Sequence, residues 1–151
     1  MPLRRVAGQP TWLLSQANHR AQTILQAAFA GAGARTYHYR LMAALEQYGD
    51  LSQAELSRRT GIDRKDVVHA LNELESGGLV VRDPDLADRR RNVIRLTAAG
   101  NAELIRLDRV LADVQDEVVA PLSAAERSRL AELLGKLAGV EGHTPPGVTR
   151  T

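Results

Sequence analysis

Residues 51–80 of the 151-residue chain read LSQAELSRRTGIDRKDVVHALNELESGGLV, and this stretch decides the fold. Ser52 can cap a helix, and Glu55 stands three residues later, which is the spacing of a capping box. This helix ends at a turn that contains Gly61, and Asp63 opens another helix directly after the turn. We therefore predict two short helices that meet across a glycine turn.

The second of these helices is amphipathic. Its apolar positions recur at helical spacing and form a predicted buried stripe of Val67, Ala70, Leu71 and Leu74. The opposite face is basic and polar, and we expect it to expose Arg64, Lys65, Val68, His69 and Asn72. A glycine pair, Gly77 and Gly78, ends the helix.

A hairpin is predicted to follow this helix. Leu79 and Val81 alternate as one strand, Ile94 and Leu96 alternate as another, and a charged loop over residues 84–92 joins them. The order of helix, glycine turn, helix and hairpin is that of a winged helix-turn-helix. In this fold the hairpin is the wing, and the second helix enters the DNA major groove. The alternative is a winged-helix module that binds only protein and keeps a solvated polar face.

The rest of the chain is predicted to be helical, so the fold class is mainly α. Apolar spacing indicates helices from about Thr11 to Ala30 and from Thr36 to Tyr48. Thr97 caps a long helix that Pro121 ends, and Ser123 opens the final helix with a second capping box. The apolar seams of the first, fifth and sixth helices exceed what one small winged helix can bury, which predicts a dimer.

The composition argues against several classes of protein. The chain has no cysteine, so it can form neither a disulfide nor a Cys-ligated zinc site. Its four histidines lie far apart and no base stands beside a nucleophile, so we expect no metal, no cofactor and no enzymatic activity. No apolar stretch approaches the ~18 residues of a membrane span, which predicts a cytoplasmic protein without a membrane partner.

The run DRRRNVIRLTAAG, residues 88–100, resembles the wing signature of the MarR family of bacterial transcription regulators. That signature is Asp-x-Arg, an apolar strand, Leu-Thr, two residues and Gly. The resemblance extends over most of the chain between Trp12 and Leu137. It implies a homodimer whose winged helices bind a palindromic operator, an inverted repeat in double-stranded DNA, and a repressor that a small molecule can release.

The resemblance also assigns the residues that contact DNA. It places Arg64, Lys65, Val68, His69 and Asn72 on the recognition helix, and Asp88, Arg89, Arg90 and Arg91 at the wing. Arg90 occupies the Asp-x-Arg position and is expected in the minor groove, while Asp88 braces the loop and the other two arginines meet phosphates. On the helix before the turn, Ser52 and Gln53 are expected to contact the DNA backbone.

A ligand pocket is a further expectation from the resemblance, because relatives of this kind often bind small aromatic acids between two lobes. Its candidate lining for an aromatic or phenolic ligand is Trp12, His19, Tyr37, His38 and Arg40. The alternative is that these side chains pack at the dimer interface.

Four segments are expected to differ in role. Residues 1–35 form an N-terminal dimerisation helix, residues 36–97 the DNA-binding domain, residues 98–138 the C-terminal dimerisation helices, and residues 139–151 a disordered tail. Within DNA binding, a non-specific architectural protein is the alternative to a regulator with a defined operator.

Overall fold

The structure, a computed structural model, describes residues 3–140. Its elements in chain order are α1 (Pro10–Gly31), α2 (Thr36–Tyr48), β1 (Leu51–Ser52), α3 (Gln53–Thr60), α4 (Arg64–Ser76), β2 (Val80–Pro84), β3 (Asn92–Leu96), α5 (Ala98–Val118) and α6 (Ala124–Ala138). The six predicted helices are present, so the mainly α-helical fold with a helix-turn-helix and a wing is confirmed. The predicted disordered tail lies, beyond Val140, outside the described residues.

The turn between α3 and α4 forms as the capping residues predict. The Ser52 N–H donates to Glu55 Oε2 over 2.8 Å, and the Glu55 N–H donates to Ser52 Oγ over 3.2 Å, which completes the capping box. Gly61 ends α3 with a φ of +70°, a left-handed conformation that a side chain would disfavour. Asp63 Oδ1 then accepts from the Lys65 N–H over 2.9 Å and starts α4.

The sheet has three antiparallel strands in the order β1-β3-β2, whereas the sequence predicted one pair. The additional strand β1 has only two residues, with Leu51 opposite Ile94 and Ser52 opposite Val93. A segment this short cannot show the alternation from which strands are predicted. It matters for the site because it joins the start of α3 to the wing.

The predicted inward face of β2 is wrong by one residue. Val80 is 1% exposed and Val81 is 37% exposed, although the alternation of Leu79 with Val81 placed the latter inward. The cause is that Leu79 still belongs to the turn that ends α4, because its N–H donates to Leu74 O over 2.9 Å. The strand therefore starts one residue later, and its faces are exchanged.

The core lies between α2, α3, α4 and the sheet, and α1 and α5 contribute to it. Its members include Phe29, Leu41, Met42, Leu45, Leu51, Leu56, Ile62, Val80, Ile94, Leu104 and Leu107, together with the four predicted stripe residues of α4. A Cβ on Gly100 would lie 2.1 Å from Leu79 O and 2.6 Å from Leu96 Cδ1. This close approach explains why the wing signature ends in glycine.

The chain divides after Gln115 into two compact units. The second contains α6, where Ser123 Oγ accepts from the Glu126 N–H over 3.2 Å, as its capping box predicts. Three leucines of α6, Leu133, Leu134 and Leu137, are exposed, and Leu137 is 71% exposed. In residues 3–140, no helix is both long enough and apolar enough to span a membrane.

Candidate nucleic-acid interface

The exposed face of α4 is the first part of the candidate interface. All five predicted recognition residues, Arg64, Lys65, Val68, His69 and Asn72, are exposed, while the opposite stripe is buried. Arg64, Val68 and Asn72 follow one another at four-residue intervals, so they form one ridge along the helix. This ridge provides a cation, an apolar contact and a carboxamide.

A groove of about 310 Å³ separates this ridge from the wing. It is lined by Ser52, Gln53, Ala54, Arg64, Val68, Arg90, Arg91 and Asn92. Three of these lining residues are arginines and none is acidic, so the groove attracts phosphate. The fold thus brings residues from α3, α4 and the wing to one concave, basic surface.

Asp88 orders the tip of the wing. Its Oδ1 accepts from the Arg90 N–H over 3.1 Å and lies 3.5 Å from Arg90 Nε, while its carbonyl accepts from the Arg91 N–H over 3.0 Å. The Arg90 side chain is 94% exposed, so the ion pair itself contributes little to stability. Asp88 therefore shapes the loop, and the Arg90 guanidinium stays available to DNA.

The three wing arginines occupy different environments. Arg91 Nη2 donates to Ser52 Oγ over 3.2 Å, which anchors the wing to the start of α3. Arg89 lines a separate groove with Asp50, Asp83 and other residues on another part of the wing. Of the three, Arg90 is both almost fully exposed and part of the basic groove.

Ser52 lies where the start of α3 meets the wing. It is 6% exposed, and its Oγ accepts both from the Glu55 N–H and from Arg91. Both bonds use the oxygen as an acceptor, so a contact with a DNA phosphate would use the O–H proton, and this contact stays a prediction. Gln53 is half-buried and lines the groove, so it remains a candidate for a backbone contact.

Arg82, which the sequence analysis did not single out, joins the wing to α4. Its Nη2 donates to Asn72 Oδ1 over 2.8 Å, and its Nε lies 3.7 Å from Glu75 Oε2. It could not be found from the alternation of Leu79 with Val81, because a strand that turns Val81 inward turns Arg82 outward. The predicted base contact Asn72 is thus also part of an intramolecular link.

Glu73 connects the exposed face of α4 to α2. Its Oε1 lies 3.0 Å from His69 Nε2 and 3.5 Å from Arg35 Nη1, and its Oε2 lies 3.4 Å from His38 Nε2. Burial lowers the pKa of His38, and the Glu73 charge opposes that shift. In residues 3–140, no group of three or more histidine or carboxylate side chains has the arrangement of a metal site.

The five predicted pocket residues do not share one pocket. Tyr37 and Arg40 line a groove of about 510 Å³ with Gln22, Gln26 and neighbouring residues of α1 and α2. His38 instead faces a cavity of about 250 Å³ that includes Glu73 and Glu103. Trp12 and His19 line neither of these two spaces. The sequence spacing of these residues could not predict which of them share a pocket. That depends on how α1 and α2 pack against each other, and their packing is set by the core.

Comparison with known proteins identifies the family. The sequence model of the MarR family matches residues 34–91. A Thauera aromatica protein named for transcriptional regulation of the hcr operon is 34% identical over 110 residues, which are 73% of this chain and 66% of the length of that protein. The HTH-type transcriptional repressor NicR of Pseudomonas putida is 29% identical over 132 residues, 87% of this chain and 84% of NicR.

Solved structures agree with these matches. The structure of Bordetella bronchiseptica BpsR, whose DNA binding is regulated by 6-hydroxynicotinic acid, superposes with a TM-score of 0.74 at 25% identity. The superposition covers 86% of this chain and 98% of BpsR. These relatives are regulators of transcription, in agreement with the prediction that the chain is not an enzyme. The resemblance to the family is confirmed, and the chain belongs to the MarR family of transcription regulators.

Proposed function

We propose that this regulator is a repressor that binds an inverted-repeat operator as a homodimer and is released by a small aromatic acid. The observation that carries the proposal is the basic groove between α4 and the wing, lined by Arg64, Arg90 and Arg91. NicR, a relative of similar length, is named a repressor, which supports repression rather than activation here.

The groove suits a duplex because its two sides can enter adjacent DNA grooves. Arg64, at the start of α4, is positioned to reach base edges in the major groove, where each base pair presents a distinct pattern of donors and acceptors. Arg90, at the exposed tip of the wing, suits the narrower minor groove, where shape and negative potential dominate. Arg91 stiffens the wing, because its hydrogen bond to Ser52 ties the wing to the start of α3.

Exposed leucines support a homodimer. Leu13 and Leu14 on α1 and Leu133, Leu134 and Leu137 on α6 are all exposed in the single chain. Leucines exposed in this number on each unit are typical of surfaces that a partner chain covers. Two recognition helices related by a two-fold axis then require half-sites whose centres lie roughly 10 bp apart.

The groove of Tyr37 and Arg40 is the proposed ligand site. The Arg40 guanidinium lies 5.9 Å from the centre of the Tyr37 ring, so one wall offers a cation for a carboxylate and an aromatic face for stacking. Gln22 and Gln26 add donors and acceptors for a ring hydroxyl. DNA binding by BpsR is regulated by 6-hydroxynicotinic acid, which is a hydroxylated aromatic acid.

To test whether an aromatic acid releases the operator, complexes of the protein with operator DNA are titrated with 6-hydroxynicotinic acid and with hydroxybenzoic acids, and the fraction of bound DNA is measured. Wild-type protein should release DNA, and Arg40→Gln should need a much higher concentration of the acid. The matched control is Arg109→Gln on α5, which removes the same charge away from the groove. Arg20 does not serve as a control, because it lies on α1 together with Gln22 of the groove. Equal responses of Arg40→Gln and wild type would place the ligand elsewhere.

The operator is found by incubating the protein with fragmented genomic DNA, sequencing the bound fragments and footprinting the enriched site. Two protected half-sites about one helical turn apart are expected. A protein-binding module would enrich no fragment. A non-specific architectural protein would protect scrambled duplex as well as the enriched site.

A further inference from the structure

The link between Arg82 and Asn72 places a restriction on how the recognition helix can contact a base. Asn72 belongs to the same ridge as Arg64 and Val68, two residues that line the basic groove. Its Oδ1 lies 2.8 Å from Nη2 of Arg82, which comes from strand β2 of the wing. Asn72 is exposed, so its carboxamide is held by the wing and is also open to a ligand.

The chemistry of arginine fixes which way the carboxamide faces. A guanidinium carries five N–H donors and no acceptor, so the atom it approaches must be the amide oxygen of Asn72. The NH₂ group is consequently turned to the side away from Arg82. The charge on the donor makes this hydrogen bond stronger than one between neutral groups.

The position of Arg82 is itself constrained. Its side chain is only 19% exposed, and its backbone stands opposite Ile94 near the middle of the β2–β3 pairing. Glu75 Oε2, at 3.7 Å from Nε, adds an attractive charge on the side of α4. Arg82 therefore holds Asn72 from a rigid strand rather than from a mobile loop.

A free asparagine binds adenine through two hydrogen bonds, accepting from N6 with its oxygen and donating to N7 with its NH₂. Asn72 Oδ1 keeps a second lone pair, but the bond from the Arg82 guanidinium polarises the carboxamide, which makes the oxygen a weaker acceptor for adenine N6 and the NH₂ a stronger donor. Its NH₂ can still donate, and guanine offers two adjacent acceptors, O6 and N7, in the major groove.

We propose that Arg82 is a positioning residue that biases Asn72 toward donating to its base, so that the operator has guanine rather than adenine at the base Asn72 faces. The proposal rests on the proposed function, since it requires a sequence-specific complex of α4 with DNA. It assigns a specificity role to a wing residue that is not expected to contact DNA itself.

The test measures the affinity of the full-length protein for duplexes that carry each of the four bases at every operator position. Asn72→Ala identifies the position that Asn72 contacts, because the preference should be lost there and kept elsewhere. At that position, wild-type protein should prefer guanine to adenine by about tenfold or more. Arg82→Met should shift the ratio toward adenine by about tenfold, and Arg82→Lys, which keeps a donor, should preserve guanine.

Two further variants separate positioning from folding. Arg95→Met removes a neighbouring wing arginine that pairs with Asp83, and it should leave the base preference at this position unchanged. Asn72→Asp keeps an oxygen for Arg82 but replaces the NH₂ by an acceptor, so the fold should be retained while the preference moves from guanine to cytosine, whose N4 is a donor. This variant tests the donor role of Asn72, and Arg82→Lys tests the role of Arg82 if Arg82→Met is too unstable to measure.

Four results would overturn the inference alone. They are a wild-type preference for adenine at this position, a folded Arg82→Met protein with the wild-type base ratio, an unchanged preference in Asn72→Asp, and an Asn72→Ala protein that discriminates at every position as wild type does. A wild-type protein that selects no sequence would overturn the proposed function and this inference with it. The two failures are therefore distinguishable by the behaviour of the wild type.

Discussion

Arg91 Nη2, in the wing, donates to Oγ of Ser52 over 3.2 Å, which joins the wing to the residue that caps α3. Residues far apart in sequence thus share one oxygen atom: it accepts the Glu55 N–H that starts the helix and the arginine that fixes the wing. The stability of the helix-turn-helix and the position of the wing are coupled at this atom.

Removing the shared oxygen should cost more than removing an ordinary helix cap. Loss of a serine cap destabilises a protein by about 1 kcal/mol, and Ser52→Ala additionally deprives Arg91 of its acceptor. Ser123→Ala is the matched control, because Ser123 forms the same capping box at α6. We expect urea unfolding to give a larger loss of unfolding free energy for Ser52→Ala than for Ser123→Ala.

A double-mutant cycle between Ser52→Ala and Arg91→Ala isolates the shared bond. The coupling free energy should be about 0.5–1 kcal/mol in favour of the wild-type pair. Additive effects of the two substitutions would mean that Arg91 does not anchor the wing in solution.

Gly100→Ala should destabilise the first unit. The new Cβ would lie 2.1 Å from Leu79 O, a backbone atom, so α5 or the strand start must move. Overpacking of this kind costs about 1–3 kcal/mol. The control is Gly135→Ala in α6, where a Cβ meets nothing within 4 Å and alanine should stabilise the helix by up to ~1 kcal/mol. Thermal unfolding that moves both variants in the same direction would contradict this explanation.

Arg90→Ala should weaken binding to operator and to scrambled DNA alike. Its guanidinium is 94% exposed and suits contacts that depend on charge and groove width rather than on base identity. The slope of log affinity against log salt should fall by about 0.9, the contribution of one neutralised phosphate. Arg129→Ala, an exposed arginine on α6, changes the net charge equally and should leave both the affinity and the slope unchanged. A loss confined to the operator would instead identify Arg90 as a base contact.

Stability should fall as the pH drops below the ordinary histidine range, and His38 should contribute to this loss. Burial lowers the pKa of His38 from 6.5; Glu73 and Glu103 oppose the shift, while Arg35 favours it. Because the folded state disfavours the protonated ring, the stabilisation is complete above 6.5 and is lost as the pH falls through the lower folded pKa. The neutral ring also accepts the Arg35 N–H at Nδ1 over 3.3 Å.

His38→Gln separates titration from helix capping, since glutamine can accept the same N–H without changing its charge. Unfolding free energies at about pH 7.5 and about pH 5, on either side of the ordinary histidine pKa, should differ less in this variant than in wild type. An identical pH dependence of the two proteins would exclude His38 as the source.

Local signals were sufficient to predict the helix-turn-helix. Ser52, Gly61 and Asp63 act on residues next to them, and the apolar stripe of α4 follows from the helical repeat, so both are visible in a single sequence. The exposed recognition face follows from that stripe by geometry.

Contacts between distant elements could not be predicted in the same way. The partners of Arg82 and Arg91 depend on how strands and helices pack, and a long arginine side chain can reach several of them. Likewise, the separation of His38 from Tyr37 and Arg40 depends on which side of α2 meets α1. The third strand was missed because two residues carry no periodicity.

The central claim is that the groove between α4 and the wing binds a specific DNA sequence. The most direct test is the dissociation constant of wild-type protein for the enriched operator and for a scrambled duplex of equal composition, each at several salt concentrations. We predict operator binding at least about 10³-fold tighter than scrambled binding, with affinity falling steeply as salt rises. Equal affinities for the two duplexes, or an affinity that does not respond to salt, would contradict the claim.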